Sequence, residues 1–295
     1  MLRDRDCPAL AALAAVLREG RFERAAAAIG VTHSAVSQRI AALEDRLGAV
    51  LAVRGRPGTA TPAGARLARH AADVGPLEAA LAAALGGLES EAAALRLAVN
   101  ADSLATWVVP ALAATPGRLF GIVLDDQGHS ADWLRRGEVS AAVTAHARPV
   151  QGCDAVARGA LRYVATASPG FVARWFPAGP TAAALARAPA LSFDAKDRMQ
   201  HAWAARAAGA RVALPAHRLP SATAFVEAAL LGLGWAMNPE VLVRGHLAAG
   251  WLVALAPEGA ETPLAFQWNR LLGAALLPLR RAMLAAACGV PAPPA

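Results

Sequence analysis

Residues 22–47, FERAAAAIGVTHSAVSQRIAALEDRL, restrict what this chain can fold into more than any other stretch. Two helical patterns flank a tight corner. Ala25, Ala26 and Ile29 carry the apolar side of the first. Gly30 ends it, because glycine adopts the left-handed backbone of such a turn without a Cβ clash. Val31 fills the corner, and Thr32 or His33 opens the second helix, where Val36, Ile40, Leu43 and Leu47 recur at helical spacing. Small residues at Ala25, Ala26 and Ala35 permit the close crossing of a helix-turn-helix. Thr32, Ser34, Ser37, Gln38 and Arg39 point outward, with groups that reach base edges and phosphates in a major groove. Spacing alone scarcely separates this reading from an ordinary helical hairpin, which an alanine-rich chain forms easily.

The flanking sequence extends the motif. Residues 8–17 read as a preceding helix with Leu10, Leu13, Ala14 and Leu17 on one face. Residues 50–61 read as a two-stranded wing whose tip, Arg54-Gly55-Arg56-Pro57-Gly58, offers Arg54 and Arg56 to phosphates or the minor groove. Residues 62–88 form a linker helix with Leu67, Val74, Leu77, Leu81, Leu85 and Leu88 in a stripe that calls for a partner helix. Gly75-Pro76 should kink it.

From Glu91 onward short apolar runs alternate with helical patterns, the signature of an α/β domain. Strands are expected at 95–99, 119–124, 139–144, 163–167, 190–193, 211–214, 234–237 and 263–268. Helices are expected at 103–114, 130–136, 171–175, 198–208, 222–231 and 276–287. The organisation is thus 1–61, a winged helix-turn-helix; 62–90, a linker and dimerisation helix; and 91–295, a sensor domain. The first lobe of that domain takes about 91–162 and 269–295, and the second about 163–268.

In open α/β sheets ligands sit beyond the carboxyl ends of strands. Asn100, Asp102 and Ser103 follow the first such strand, Asp126 the second, and Thr144 ends the third. Asp194 and Asp197 follow the strand at 190–193, and Ser221 and Thr223 head the helix at 222. Each alone reads as a helix cap or a surface charge; four aspartates at successive strand ends favour a cationic ligand group. Lys196, the chain's only lysine, is expected as a salt-bridge partner at the cleft rim.

Composition narrows the classes. A formal net charge of +7 favours a polyanionic partner, although arginine and alanine excess weakens that inference. Cys7, Cys153 and Cys288 are too scattered for a disulfide framework or zinc cluster, which suits a reducing cytoplasm. The N-terminal apolar run lacks the form of a signal peptide. The most apolar stretch, 222–237, carries Glu227 and is not a membrane span. No P-loop, GxGxxG after a strand, HExxH or GxSxG occurs, so no catalytic residue, metal site or cofactor is assigned.

Residues 11–51, together with Arg54 to Arg56 and Thr61-Pro62-Ala63-Gly64, resemble the N-terminal domain of LysR-type transcriptional regulators. The motifs VNADSLATWVVPAL, DWLRRGEVSAAVT with PVQGC, ASPGFVARWFP and ARAPALSFDAKD resemble the ArgP/LysG branch. One departure is Val53, where most relatives carry phenylalanine; Val53 is expected to fill the same core slot. The resemblance implies a two-lobe sensor domain like periplasmic ligand-binding proteins. It also implies a homodimer or homotetramer on double-stranded DNA, and a lysine or arginine effector controlling an amino-acid exporter or biosynthesis gene. The effector's carboxylate would lie near Asn100, Ser103 and Thr144, and its basic end near Asp126, Asp194 or Asp197. The competing readings are a sequence-tolerant nucleoid-type DNA binder and an amino-acid-processing enzyme.

Overall fold

In the computed structural model, which describes residues 7–53, 59–71, 74, 94–126 and 128–286, three helices open the chain. They are α1 (Cys7–Glu19), α2 (Phe22–Ala28) and α3 (His33–Leu47). Leu10, Leu13 and Val16 of α1 bury against Ala25 and Ala26 of α2 and Val36, Ile40 and Leu43 of α3. Gly30 turns the corner with φ +65°, and the Thr32 hydroxyl caps α3 by accepting the Ala35 N–H at 3.2 Å. Leu47 departs from the expected stripe and is 38% exposed.

The strands β1 (Ala52–Val53) and β2 (Thr59–Ala60) pair antiparallel as the wing. Leu51 and Ala52 supply its buried contacts, and Val53 is 52% exposed. The expectation that Val53 fills the core slot therefore fails: side chains alternate along the strand, and register turns Val53 outward. The wing tip with Arg54 and Arg56 lies outside the described residues. A helix α4 (residues 62–71) follows. Its first turn passes so close to the wing that a Cβ at Gly64 would collide with the Leu51 carbonyl. Leu67, the first residue of the proposed partner stripe, instead packs against the three-helix core. Of the other stripe residues, Leu77, Leu81, Leu85 and Leu88 lie outside the described residues, as does the Gly75-Pro76 kink.

The second part is built on a seven-stranded sheet among the described residues. Strands β3 (Leu95–Val99), β4 (Phe120–Leu124) and β5 (Ala141–Thr144) run parallel, with β3 between the other two. The helical segment α5 (Ala101–Ser103) leads through a π-helical stretch, Leu104–Val108, into α6 (Val109–Ala113), while α7 (Ser130–Arg136) precedes β5. The long strand β6 (Cys153–Ala167) then joins two lobes. Its first part pairs with β11 (Ala260–Asn269). From Tyr163 to Thr166 it pairs with β9 (Ala236–Pro239), and its end pairs with β10 (Val253–Ala254). Tyr163 stands where these partners change.

The second lobe adds α8 (Pro169–Trp175), α9 (Ala182–Leu185), β7 (Ala190–Ser192), α10 (Met199–Ala208), β8 (Ala216–Arg218), α11 (Ala222–Leu230) and α12 (Glu240–Ala248). The return strand β11 pairs with β5 from Ala265 to Trp268, and α13 (Leu277–Ala285) closes the first lobe. A core containing Leu97, Tyr163, Trp203, Trp235 and Phe266 runs through both lobes.

Several strands differ from expectation, among them β5, which begins at Ala141 rather than 139, β11, which begins at Ala260 rather than 263, and β10, which was not expected. The strand expected at 211–214 forms instead at 216–218, where it pairs in parallel with β7 after Pro215. The strand expected at 234–237 begins two residues later. The strand expected only from Tyr163 starts at Cys153, where it pairs with Asn269 of β11, and it carries a bulge at Arg158, next to Gly159 at φ +87°.

Candidate functional site

The amino-terminal candidate site is the outer side of α3. Thr32, Ser34 and Gln38 are exposed, and Ser37 and Arg39 are half-buried at its margin. Val36, Ile40 and Leu43 hold the opposite face in the core, so the polar side is fixed in direction. Glu44 fixes the wing relative to α3: its Oε1 accepts the backbone N–H of Leu51 at 2.7 Å and of Ala52 at 3.3 Å.

The second site is a cavity of about 150 Å³ between the lobes. Asn100, Ala101 and Asp102 reach it from the end of β3, and Leu124, Asp125 and Asp126 from the end of β4. Phe193, Asp194, Lys196 and Asp197 enter from the loop after β7, followed by Met199 and Gln200 at the start of α10. Tyr163, Phe225 and Met237 complete the lining.

Most of the acids are already held by donors. Asp125 accepts the Trp133 indole N–H at 2.7 Å and the Asp126 backbone N–H at 2.8 Å. Asp126 accepts the Gly128 N–H at 2.7 Å. Asp194 accepts the N–H groups of Lys196 and Asp197 at 2.6 and 3.0 Å. Asp197 accepts those of Phe193 and Met199 at 2.9 and 3.0 Å. These bonds cap turns, as sequence suggests, and also aim the carboxylates at one volume.

Asp102 differs. Burial lifts its carboxyl from 3.8 to about 6. The Tyr163 hydroxyl, donating at 2.7 Å, opposes that rise, whereas the charges of Asp197 and Asp126 add to it. Burial, then the Asp102 charge, pushes the Tyr163 phenol well above its ordinary range, so Tyr163 remains a donor at neutral pH. A ligand cation placed among these groups would relieve the repulsion.

Of the expected ligand residues, Asn100, Asp102, Asp126, Asp194 and Asp197 converge on this cavity. Ser103, Thr144, Ser221 and Thr223 do not line it. Ser103 is fully buried. The Thr144 hydroxyl donates to the His146 carbonyl at 2.9 Å and accepts from Gln267 Nε2 at 3.0 Å, which ties down the following loop. Ser221 caps α11 by accepting the Ala224 N–H, with Thr223 Oγ1 3.1 Å away. Lys196 lines the cavity, but the expected rim salt bridge is not among the ion pairs of the described residues. Sequence reasoning passed over Tyr163, Gln200, Phe225 and Met237. The sole tyrosine, at the head of an expected crossing strand, was the available signal. No group of residues suited to hold a metal occurs among the described residues, and no helix there is long and apolar enough to cross a membrane.

Comparison with known proteins places both sites in one context. The chain is 42% identical over 288 residues to the HTH-type transcriptional regulator ArgP of Pseudomonas aeruginosa, covering 96% of each. The crystal structure of ArgP from Mycobacterium tuberculosis matches with a TM-score of 0.79 at 38% identity, covering 96% of this chain and 99% of that one. Full-length LysG from Corynebacterium glutamicum, solved with bound effector Arg, matches with a TM-score of 0.69 at 34% identity, covering 94% and 96%. Residues 8–65 match the bacterial regulatory helix-turn-helix proteins of the lysR family, and residues 89–287 match the LysR substrate-binding domain. The chain belongs to the LysR family of bacterial regulatory helix-turn-helix proteins.

Proposed function

We propose that the protein is a cytoplasmic transcriptional regulator that binds double-stranded DNA through α3 and its wing and responds to lysine or arginine in the interlobe cavity. The observation that carries the ligand class is the convergence of Asp102, Asp126, Asp194 and Asp197 on one volume, with Asp102 half-buried and bonded to the Tyr163 hydroxyl. Such a cavity favours a cation over a neutral or acidic amino acid. Two copies paired through the linker helices would present two α3 helices to a dyad site, as a dimer or as a tetramer built from two such dimers. The effector acts by binding two arrangements of the assembly unequally. Titration calorimetry of the full chain with lysine, arginine, leucine and glutamate tests the reading. Heat and saturation are expected for lysine or arginine alone; equal binding of leucine, or no binding of either basic amino acid, overturns it.

A further inference from the structure

The acidic cavity accounts for a ligand's cationic side chain but leaves its head group without an assigned receptor. Two lining residues supply free atoms of the right kind. Asn100 is 3% exposed, and neither its Nδ2 nor its Oδ1 has a hydrogen-bond partner. Gln200 is 2% exposed, and its Oε1 is likewise unpartnered. Buried amide atoms are normally satisfied, and two such residues bordering the same cavity point to a group that is meant to arrive there. They come from opposite sides: Asn100 follows β3 in the first lobe, and Gln200 lies in the first turn of α10 in the second.

We infer that Gln200 and Asn100 together form the receptor for the α-ammonium and carboxylate of a basic amino acid. This inference rests on the ligand class proposed above. The free set is two acceptors, Asn100 Oδ1 and Gln200 Oε1, and one donor, Asn100 Nδ2. An α-ammonium donates to both acceptors, and the adjacent carboxylate accepts from Nδ2. The amides carry no charge, so they hold a zwitterion without adding to the electrostatic balance. The carboxylates meanwhile receive the side-chain cation. A carboxylate brought directly against the aspartates would be repelled; Asn100 Nδ2 gives it a neutral partner instead. Because the head group touches one amide from each lobe, it bridges the cleft, and Gln200 becomes a specificity-determining residue rather than a wall.

Ligands that lack one half of the head group provide the test. The full-length protein is titrated calorimetrically with arginine, with agmatine, which lacks the carboxylate, and with 5-guanidinopentanoate, which lacks the α-amine. Gln200→Met keeps the side-chain volume and removes the acceptor; Gln200→Glu retains an acceptor. Gln200→Met is expected to weaken arginine and agmatine about tenfold, the usual size for one hydrogen bond to a charged group, and to change 5-guanidinopentanoate less than twofold. Gln200→Glu is expected to keep agmatine binding within threefold of wild type. Thermal unfolding of both variants checks the fold; if Gln200→Met unfolds, the Gln200→Glu ligand series alone decides, with a loss of agmatine binding counting against the inference. Equal weakening of all three ligands, or none, overturns the assignment of Gln200. Failure of wild type to bind arginine at all instead overturns the ligand class, so the two failures are distinguishable.

Discussion

Burial of an acid is a cost that function can explain. Asp102 has a folded-state pKa near 6 against 3.8 for the free group, so the folded chain holds its proton more tightly than the unfolded chain. Its favourable contribution is full below about 3.8 and is lost as pH rises through about 6. At pH 8 the ionised carboxylate therefore opposes folding of the empty protein, by up to about 3 kcal/mol at 1.36 kcal/mol per unit. Asp102→Asn should accordingly raise the stability of the empty protein at pH 8, by about 1–3 kcal/mol. It should leave stability nearly unchanged at pH 3.5, as urea unfolding at the two values will show. The same substitution should weaken arginine binding at least tenfold, since the deep anion is gone. Arginine affinity of the wild type should likewise fall as pH drops below 6. At this scale the sequence was partly legible. Aspartates after strands could be marked because their positions follow from apolar runs. Tyr163 offered only its being the sole tyrosine, and Gln200 offered nothing, because what makes them part of the site is a change of strand partner and a helix start in the other lobe.

At the scale of elements, the wing depends on one carboxylate. Glu44 Oε1 receives two backbone N–H groups from Leu51 and Ala52, and the Thr61 hydroxyl donates to the Val50 carbonyl at 2.7 Å while accepting from the Gly64 N–H at 3.1 Å. Helix, wing and α4 are thus joined by polar contacts in addition to the apolar contacts of Leu51, Ala52 and Leu67 with the three-helix core. Glu44→Ala should cost the amino-terminal domain about 1–3 kcal/mol, through two orphaned N–H groups, and lower DNA affinity with it. Glu44→Gln, which keeps an acceptor oxygen, should recover most of both; thermal unfolding and gel-shift titration measure the two effects. Sequence reading located the helix-turn-helix well because its helical period, Gly30 and the Thr32 cap agree. It read β6 poorly, since its first half is rich in alanine and glycine, which gives little hydrophobic contrast, and a bulge at Arg158 interrupts the ladder. The strand expected at 211–214 illustrates another limit: β8 is three residues long and wholly exposed, and its position is set by pairing with β7 rather than by its own composition.

At the scale of the whole molecule the two sites have only one way to communicate, a difference in how the ligand and the DNA each bind the assembly's alternative arrangements. The cavity draws Asn100, Asp102 and Asp126 from the first lobe and Asp194, Asp197 and Gln200 from the second, so occupancy acts on the lobe-to-lobe relation directly. Linkage then fixes a quantitative requirement. If saturating arginine changes affinity for the operator by some factor, saturating operator must change affinity for arginine by the same factor. Fluorescence anisotropy on labelled operator, with and without arginine, gives the first factor. Calorimetric titration of arginine into the free protein and into the protein–operator complex gives the second. The two factors should agree, and for a typical allosteric coupling of about 1–3 kcal/mol they should fall between 5- and 150-fold. Asp102→Asn should raise the arginine concentration needed to affect the operator at least tenfold while leaving operator affinity without arginine close to that of the wild type. An arginine-independent operator affinity in the wild type, with arginine shown by calorimetry to be bound, would mean that the cavity does not regulate α3.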